Sequence, residues 1–586
     1  MENLCYTNEL HVLTLIALLK AHGIRKVIAS PGNTNVTLVA SMQRDPFFQM
    51  YSSVDERSAA YMACGLAAES GEPVVLSCTG ATASRNYIPG LTEAYYRKLP
   101  VIAITSTQPI EKVGHLIPQV IDRSAMHKDI VRLSVTLSLI KNEDEVWNCE
   151  IKVNQALQAL KRHGGGPIHI NLETAYSRDF SVKKLPGTRL IERIACHDEF
   201  PELSDVRVAV FVGSHRVWTN EETEALDNFC ASYNAVVFCD HTSGYKGKYR
   251  VLYALVKAQG YNQPLLPEID ILIHIGEISG DYYSWGITAK QVWRVSEDGE
   301  IRDAFRKLRY VFEMPECYFF RHYATSVIQN DTFLKLCKEN YEAVYEHIPE
   351  LPFSNIWVAQ QLSSRLPEHS VLHLGILNTL RSWNFFEIPF SVQSFCNVGG
   401  FGIDGDMSSL VGASLAYPEK LYFGILGDLA FFYDMNVMGN HHVGKNVRIM
   451  LINNGRGTEF RNYNHMGSMF GDDADAYIAA AGHYGNKSPK LVKHYAEDLG
   501  FEYLTASNKE EFSRVYSRFI KKEMTERPML FEIFTDSVDE SRALELISTC
   551  LKKEEDVRRE KLASTAKKVL GSSYNTISSL YHKLKH

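Results

Sequence analysis

Residues 421–454, LYFGILGDLAFFYDMNVMGNHHVGKNVRIMLINN, decide the fold class of this chain. An apolar run of strand length, Leu421–Leu426, ends in Gly427-Asp428, and a second one, Val447–Ile452, ends in Asn453-Asn454. The stretch between the two runs has the character of a helix. Strands that are connected through a helix pair in parallel, because a parallel connection needs a long crossover. The segment therefore predicts an open parallel sheet in a protein of the α/β class.

The same alternation of short apolar strands and amphipathic helices extends over most of the 586 residues, in three blocks. We predict three consecutive open parallel-sheet domains at residues 1–185, 186–350 and 351–550, followed by a helical C-terminal tail at 551–586 with nine Lys or Arg against four Asp or Glu. The predicted strands, besides the two above, are Lys26–Ser30, Met50–Val54, Pro73–Ser77, Val101–Thr105, Val206–Gly213, Ala235–Asp240, Ile269–Gly276, Gln291–Val295, Val371–Leu374 and Met529–Phe534.

The composition argues against several classes of protein. The 62 basic and 69 acidic side chains leave a net charge of −7, which gives no reason to expect binding to nucleic acid. No apolar stretch approaches the ~18 residues of a membrane span, and residues 1–23 lack the basic start of a secretion signal. The eleven cysteines include no C-x-x-C pair, which is typical of free thiols in a reducing compartment. We therefore expect a cytoplasmic protein without a membrane span.

Two polar residues at strand ends predict a metal site in the third block. Asp428 and Asn454 follow successive strands, and ligands of open parallel sheets bind at the carboxyl ends of the strands. Mg²⁺ prefers oxygen ligands shared with phosphates. Asp428, Asn454 and the backbone carbonyl of Arg456 can supply three oxygens, and a diphosphate can supply the rest. The alternative is that G-D and N-N-G are only turn residues, but the two pairs together favour the metal site.

A second candidate site follows the strands of the first block. Predicted strand Met50–Val54 runs into Asp55-Glu56, and a predicted helix, Ser58 to Ala68, follows. Taken alone, an acidic residue in a first helical turn is usually a surface group that complements the helix dipole. Ser30-Pro31-Gly32 and Thr79-Gly80 end neighbouring predicted strands, which makes a ligand pocket at that edge of the sheet a second interpretation.

Six segments of the chain together resemble the thiamine-diphosphate-dependent enzymes. They are residues 30–38 (SPGNTNVTL), 54–67 (VDERSAAYMACGLA), 78–106 (CTGATASRNYIPGLTEAYYRKLPVIAITS), 401–405 (FGIDG), 427–436 (GDLAFFYDMN) and 452–457 (INNGRG). Within this superfamily, the nearest likeness is to the family of 2-succinyl-5-enolpyruvyl-6-hydroxy-3-cyclohexene-1-carboxylate synthase. The resemblance covers about residues 1–545 and implies the same three-domain fold, with a pyrimidine-binding, a central and a diphosphate-binding domain.

The resemblance implies roles for individual residues. Glu56 matches the glutamate that shares a proton with N1′ of the cofactor aminopyrimidine, so that a C2 ylide forms and attacks a carbonyl. Asp428, Asn454 and the carbonyl of Arg456 match the ligands of Mg²⁺, and Ile403 matches the apolar residue that keeps the cofactor bent. The other cofactor contacts are expected from Pro31, Gly32, Thr79, Gly80, Asn86, Gly402, Asp404, Gly427 and Leu429.

The resemblance also implies an activity and a partner. We expect a lyase or transferase that acts on a 2-oxo acid, as a decarboxylase or a carboligase that joins it to an acceptor. Gln119, Arg381 and His115 are the further catalytic candidates, although Arg381 could equally form a surface ion pair. In the family the cofactor lies between two subunits, so the resemblance predicts a homodimer or homotetramer.

Several positions differ from the synthase, whose substrates are 2-oxoglutarate and isochorismate. Thr34, Gln108 and Val398 stand where the family has arginines, and Asp281 stands in place of a Gly-Lys-Arg lysine. Arginine suits carboxylates because its planar fork makes two hydrogen bonds. These differences favour a substrate other than isochorismate. The alternatives are the synthase itself and a cofactor-binding scaffold without chemistry, against which the combination of Glu56 with the metal ligands argues.

Overall fold

The computed structural model describes residues 5–123, 126–325, 330–481 and 488–552. The predicted tail at 551–586 therefore lies outside the described residues from position 553 onwards. The chain divides into two compact units, Met1–Pro201 with Gln291–Met314, and Glu202–Lys290 with Pro315–His586. The predicted domain boundaries at 185, 350 and 550 remain a prediction.

The elements of the amino-terminal region alternate between strands and helices. They are α1 (Leu10–Ala21), β1 (Lys26–Ala29), α2 (Val36–Met42), β2 (Gln49–Ser52), α3 (Glu56–Ser70), β3 (Val74–Cys78), α4 (Thr82–Asn86), α5 (Ile88–Tyr96), β4 (Val101–Thr107), β5 (Ser134–Leu137), α6 (Glu143–Ala159) and β6 (Ile168–Glu173).

The second group of elements follows in the same alternating manner. They are β7 (Glu192–Ala195), β8 (Val208–Val212), α7 (Asn220–Tyr233), β9 (Val237–Cys239), β10 (Arg250–Leu252), α8 (Ala254–Lys257), β11 (Ile269–Ile275), β12 (Ala289–Ser296), β13 (Leu308–Glu313), α9 (Glu316–Tyr323) and α10 (Thr332–Glu346). The strand order of this sheet is β10-β9-β8-β11-β12-β13-β7.

The third group of elements carries the predicted metal site. They are α11 (Asn355–Leu362), β14 (Val371–Leu374), α12 (Asn378–Trp383), β15 (Gln393–Phe395), α13 (Asp406–Ser414), β16 (Tyr422–Gly427), α14 (Asp428–Asp434), β17 (Val447–Asn453), α15 (Leu491–Asp498), β18 (Glu502–Ala506), α16 (Lys509–Phe519), β19 (Met529–Phe534) and α17 (Ser537–Ser548).

The first and third sheets share one topology. Their strand orders, β2-β1-β3-β4-β6-β5 and β15-β14-β16-β17-β19-β18, are the same when the strands of each sheet are counted from its first. All pairings in both sheets are parallel. In each sheet, the second and third strands along the chain lie on opposite sides of the first strand. The crevice at such a switch of direction is where open α/β sheets bind ligands.

Helices cover both faces of the first sheet. Leu15 of α1 and Leu157 of α6 pack on one face, and Ala63 of α3 and Leu91 of α5 pack on the other. Strands that are buried on both faces are apolar throughout, which explains the continuous apolar runs of the sequence. Among the described residues no helix is both long and apolar enough to cross a membrane, and all eleven cysteines are free thiols.

The α/β fold with three parallel sheets is confirmed, and each predicted strand coincides with an observed one within two residues at either end. The predicted helix from Ser58 to Ala68 is α3, which starts two residues earlier. Seven strands were missed: β5, β6, β7, β10, β13, β15 and β18. Six of them are short or lie towards the edges of their sheets. The inner strand β6 was missed because its residues alternate between apolar and polar and form no continuous apolar run. One of these polar residues, His169, is nevertheless buried and hydrogen-bonds to the hydroxyls of Thr105 and Ser134.

A buried arginine fixes the strand that leads to Asn454. Arg448 of β17 is fully buried and has no carboxylate hydrogen-bond partner among the described residues. Its Nη1 donates to the carbonyls of Phe519, at 2.7 Å, and Lys521, and its Nη2 donates to the carbonyl of Glu523 at 2.9 Å. Burial lowers the pKa of Arg448 to about 10. The guanidinium thus supplies donors for the carbonyl of Phe519, at the end of α16, and for two carbonyls of the loop that follows.

We expect Arg448→Lys to lower the free energy of unfolding by about 2 kcal/mol, because a lysine cannot donate to all three carbonyls and a hydrogen bond from a charged group is worth about 1.5–3 kcal/mol. The measurement is the midpoint of urea denaturation. Arg514→Lys, an exposed position on α16, is the matched control and should leave the midpoint unchanged. Equal midpoints for the two variants would show that the three hydrogen bonds do not stabilise this region.

Candidate active site

The carboxyl ends of three neighbouring strands of the third sheet line one cavity of about 100 Å³. Gly375 follows β14, Asp428 follows β16, and Asn454 follows β17. These strands are adjacent in the order β14-β16-β17, so their ends meet at one edge of the sheet. The strand ends that the sequence predicted as a metal site are therefore brought together, at the switch point of the sheet.

Asp428 connects two strand ends. Its side chain is almost fully buried, and its Oδ1 accepts a hydrogen bond from the backbone N–H of Leu429 at 2.8 Å. Its Oδ2 accepts from the N–H of Gly455 at 2.6 Å, so the loop after β17 is held to the start of α14. Burial raises the pKa of Asp428 to about 6, and the backbone N–H donors partly oppose that shift. A bound cation at this position would favour the ionised form.

The free oxygen atoms around Asp428 fit a hard cation. Asn454 Oδ1 is buried and has no hydrogen-bond partner among the described residues. The carbonyl of Arg456 accepts one hydrogen bond, from the N–H of Thr458 at 2.8 Å, and keeps a second lone pair. Gly455 between them has φ +81°, a conformation that favours glycine. One carboxylate, one amide and one carbonyl are a suitable protein share of an octahedral Mg²⁺ site whose other ligands are phosphate oxygens and water.

Ile403 and Leu429 form apolar parts of the cavity wall beside Gly427. Ile403 also packs against the hydrophobic core of the third sheet. A Cβ at Gly402 would lie 2.4 Å from Asp404 Oδ1, the end of an exposed side chain that would have to turn away. Gly402 and Asp404 themselves flank the cavity without lining it, and Asp404 is exposed. Their role as cofactor contacts remains a prediction.

In the first sheet, the ends of β1 and β3 pack on each other. Pro31 and Gly32 line a separate cavity of about 470 Å³. A Cβ at Gly32 would lie 2.6 Å from Thr79 Cβ, and a Cβ at Gly80 would lie 3.0 Å from the carbonyl oxygen of Gln119. Close packing therefore accounts for the two glycines. The structure also brings four predicted cofactor contacts, Pro31, Gly32, Thr79 and Gly80, to the edge of the sheet at which Gln119 lies.

Glu56 is the first residue of α3, whose N-cap is Asp55. Asp55 Oδ1 accepts from the N–H of Ser58 at 2.8 Å, so the neighbouring carboxylate, and not Glu56, caps the helix. Glu56 is half-buried, and its Oε2 accepts from Asn86 Nδ2 at 3.3 Å. The pairing of Glu56 with Asn86 joins two of the predicted cofactor contacts. His115 is exposed in the loop that leads to Gln119, and its catalytic role stays a prediction.

The positions that differ from the synthase are occupied by side chains with no positive charge. Thr34 is buried, and its hydroxyl donates to the carbonyl of Ser106 at 2.8 Å. Val398 is buried, and Gln108 accepts from Lys112 at 2.8 Å. Asp281 is buried and accepts from the Ser284 hydroxyl, and burial raises its pKa to about 6. None of these four side chains can make the charge-assisted hydrogen bonds of an arginine or a lysine with a carboxylate.

Two acidic residues of the cavity region were missed by the sequence analysis. Glu459 lines the cavity and accepts a hydrogen bond from Arg381 Nη2 at 2.5 Å. Glu540 of α17 is buried behind the wall, where its Oε1 accepts from the N–H of Asn355 at 3.0 Å and from Thr535 Oγ1 at 2.7 Å. Burial raises the pKa of Glu540 to about 7. Both residues lie in ordinary helical or turn sequence, so no local pattern identifies them.

The chain matches known proteins over most of its length. Residues 13–126 match the family model described as the thiamine pyrophosphate enzyme, N-terminal TPP binding domain, and thiamine pyrophosphate is another name for thiamine diphosphate. Proteins named 2-succinyl-5-enolpyruvyl-6-hydroxy-3-cyclohexene-1-carboxylate synthase are 31% identical in Bacteroides thetaiotaomicron, over 568 residues, and 31% identical in Phocaeicola vulgatus, over 567 residues. Each alignment covers 92% of this chain and 98% of the relative. The chain therefore belongs to the thiamine-pyrophosphate-dependent enzymes, and within them to the family of this synthase.

Proposed function

We propose that the chain decarboxylates a 2-oxo acid and transfers the resulting acyl unit to an acceptor, with thiamine diphosphate and Mg²⁺ as cofactors. The first candidate is the reaction for which its relatives are named, the synthesis of 2-succinyl-5-enolpyruvyl-6-hydroxy-3-cyclohexene-1-carboxylate. Similarity over 98% of the relative favours this candidate over the more general decarboxylase or carboligase that the sequence analysis put first. The observation that carries the proposal is the pair of Asp428 and the unpartnered Asn454 oxygen at adjacent strand ends.

Each part of the site has a task in this proposal. Asp428, Asn454 and the Arg456 carbonyl hold Mg²⁺, and Ile403 supplies an apolar contact to the cofactor. Glu56 holds a proton at N1′ of the aminopyrimidine and exchanges it with the ring. Thiamine diphosphate, when bound, supplies a carbon that attacks the 2-oxo group and accepts the electrons left by departing CO₂. The free thiols support a reducing compartment such as the cytoplasm.

The second candidate is the same type of reaction with a different substrate pair. The buried Thr34, Val398 and Asp281 favour it, because they provide none of the charge-assisted hydrogen bonds that a substrate with several carboxylates needs. Each such bond is worth about 1.5–3 kcal/mol. The two candidates share their cofactor and their first step, and they differ in the groups that the substrates present to the protein.

An assay of isochorismate with 2-oxoglutarate separates the candidates. The first candidate predicts a kcat/KM similar to that of the Bacteroides thetaiotaomicron relative measured alongside, whereas the second, with at least two arginine contacts replaced, predicts a value at least about 10²–10⁴-fold lower. A value equal to that of the relative would establish the first candidate. If no product were detected, only the second candidate would remain. If no 2-oxo acid releases CO₂ in the presence of thiamine diphosphate and Mg²⁺, the proposal itself is wrong.

Substitutions of Asp428 and Glu56 should affect different steps, cofactor binding for Asp428 and proton exchange for Glu56. Asp428→Asn removes a charge from the metal site, so affinity for thiamine diphosphate in calorimetric titration should fall at least ~10-fold. Glu56→Gln keeps the shape of the side chain but cannot exchange a proton, so affinity should change less than ~10-fold while C2 proton exchange slows by ~10²–10⁴-fold. Exchange is followed by NMR in deuterium oxide. Asp473→Asn, an exposed position, is the control, and an exchange rate in Glu56→Gln like that of the control would remove Glu56 from the mechanism.

We also propose that the enzyme is a homodimer whose interface includes the start of α3. Val54, Tyr61 and Met62 are 80%, 48% and 46% exposed, although all three are large and apolar. They lie beside Glu56, and an exposed apolar patch next to a functional residue is typical of an interaction surface. The family resemblance, which places the cofactor between subunits, supports a second copy of the chain as the partner.

Met62→Lys should therefore dissociate the enzyme into monomers and abolish its activity, because a charge would be buried at the interface. Sedimentation velocity at the assay concentration gives the oligomeric state. Leu265→Lys changes a more exposed apolar residue, 91% accessible, on the other unit, and it should keep the wild-type assembly. A Met62→Lys variant that stays dimeric would place the interface elsewhere.

A further inference from the structure

A cavity of about 220 Å³ in the first unit is not part of the site described above. Its wall includes Arg123, which is 5% exposed, and Arg85 near the end of α4. Both terminal nitrogens of Arg123, Nη1 and Nη2, are buried and have no hydrogen-bond partner among the described residues. A buried guanidinium without acceptors is costly, so the cavity is expected to hold a group that accepts its hydrogen bonds.

Two other buried arginines have the partners that Arg123 lacks. Arg448 donates to three backbone carbonyls. Arg381 pairs with Glu459, so the surface ion pair considered for Arg381 from the sequence is wrong about its location. Burial lowers the pKa of Arg123 to about 10, and the positive charge of Arg85 also lowers it, so that the guanidinium is still charged at pH 7.

The groups around Arg123 supply little negative charge. Burial raises the pKa of the Cys78 thiol to about 12, so the thiol is neutral at pH 7. His169 is neutral as well, because burial and the charge of Arg123 lower its pKa to about 3. Asp122 on the cavity wall is exposed, and water screens its charge. With two arginines against one aspartate, the charge that the wall lacks is that of an anion.

The wall of the cavity is suited to a carboxylate on a short carbon chain. The planar fork of an arginine such as Arg123 meets a carboxylate with two parallel hydrogen bonds. His127 is a further polar group of the wall, and the half-buried Ile88 and Met126 give it an apolar part. Sites for larger organic ligands measure about 300–1,000 Å³, so the volume favours a small acid.

The cavity adjoins the sheet edge that carries predicted cofactor contacts. Arg123 Nη1 lies 3.6 Å from the position that a Cβ of Gly80 would take, and the carbonyl oxygen of Ser106 lies 3.5 Å from the same point. The Thr34 hydroxyl donates to that carbonyl. Thr34 stands where the resembling synthase has an arginine, so Arg123 brings a guanidinium close to the place from which one is missing.

We propose that Arg123 is a specificity-determining residue, which binds the far carboxylate of a dicarboxylic 2-oxo acid donor in this cavity. The inference rests on the reaction type proposed above and supports its first candidate. It gives the first unit a positive group for an acidic donor, although Thr34 and Gln108 carry no charge. The unpaired guanidinium is the observation that carries it.

The test compares two donors of equal chain length, 2-oxoglutarate and 2-oxopentanoate, which end in a carboxylate and in a methyl group. With the holoenzyme, kcat/KM for CO₂ release should favour 2-oxoglutarate, and Arg123→Gln should lower the ratio of the two values at least ~10-fold, because a charge-assisted hydrogen bond is lost. Arg123→Lys keeps the charge and should lower the ratio less. A general loss of folded enzyme would leave the ratio unchanged, since it affects both donors equally.

Arg97→Gln is the matched control, because it removes an arginine of the same unit whose side chain is 51% exposed. It should leave the ratio of the two donors as in the wild type. If Arg123→Gln also has the wild-type ratio, or if the wild type does not prefer 2-oxoglutarate, the inference is wrong.

A binding measurement keeps the inference separate from the proposed function. Calorimetric titration of the holoenzyme with glutarate, which cannot be decarboxylated as a 2-oxo acid, should show at least ~10-fold weaker binding to Arg123→Gln than to wild type or Arg97→Gln. If no 2-oxo acid releases CO₂ but glutarate binding changes in this way, the proposed function fails and the carboxylate receptor stands. If CO₂ release is absent and Arg123→Gln binds glutarate like the wild type, both fail.

Discussion

The two hydrogen bonds that Asp428 accepts, from Leu429 and from Gly455, are the contacts on which the candidate site depends. They connect the end of β16 with the loop after β17, so that the oxygens of Asp428, Asn454 and Arg456 belong to one rigid edge. Burial disfavours the charge of this carboxylate, and the two N–H groups compensate only in part. A carboxylate held in this way is ready to be stabilised by a cation.

The first and third sheets reach the same arrangement of strand ends through the same strand order. In both, the residues that follow the first, third and fourth strands are small or polar, because helices cover the faces of the sheets and leave the carboxyl edge for ligands. One edge carries the glycines and Glu56, and the other carries the oxygens for a metal. The shared topology explains why candidate ligand-binding residues follow the corresponding strands in both sheets.

Charge separates this chain from what its family resemblance alone implies. Thr34, Val398 and Asp281 carry no positive charge, and Arg381 is neutralised by Glu459. Buried ion pairs contribute little net stability, because desolvation of both charges offsets their attraction. Removal of either partner would leave the other charge buried and unpaired, so Arg381 and Glu459 depend on each other.

The sequence by itself determined the fold class, twelve of the nineteen strands and the ends of β16 and β17, because apolar runs that stop at Gly-Asp and Asn-Asn-Gly report local structure directly. The resemblance of several segments to one family then suggested roles for Glu56 and Ile403, which remain predictions. Only the tertiary structure decided which distant groups meet. Arg381 and Glu459 are 78 positions apart, Asn355 and Glu540 are 185 apart, and Arg448 serves carbonyls more than 70 positions away. No local pattern encodes such pairs, since the partner of a buried charge is chosen by how the chain folds back on itself and not by its neighbours in sequence.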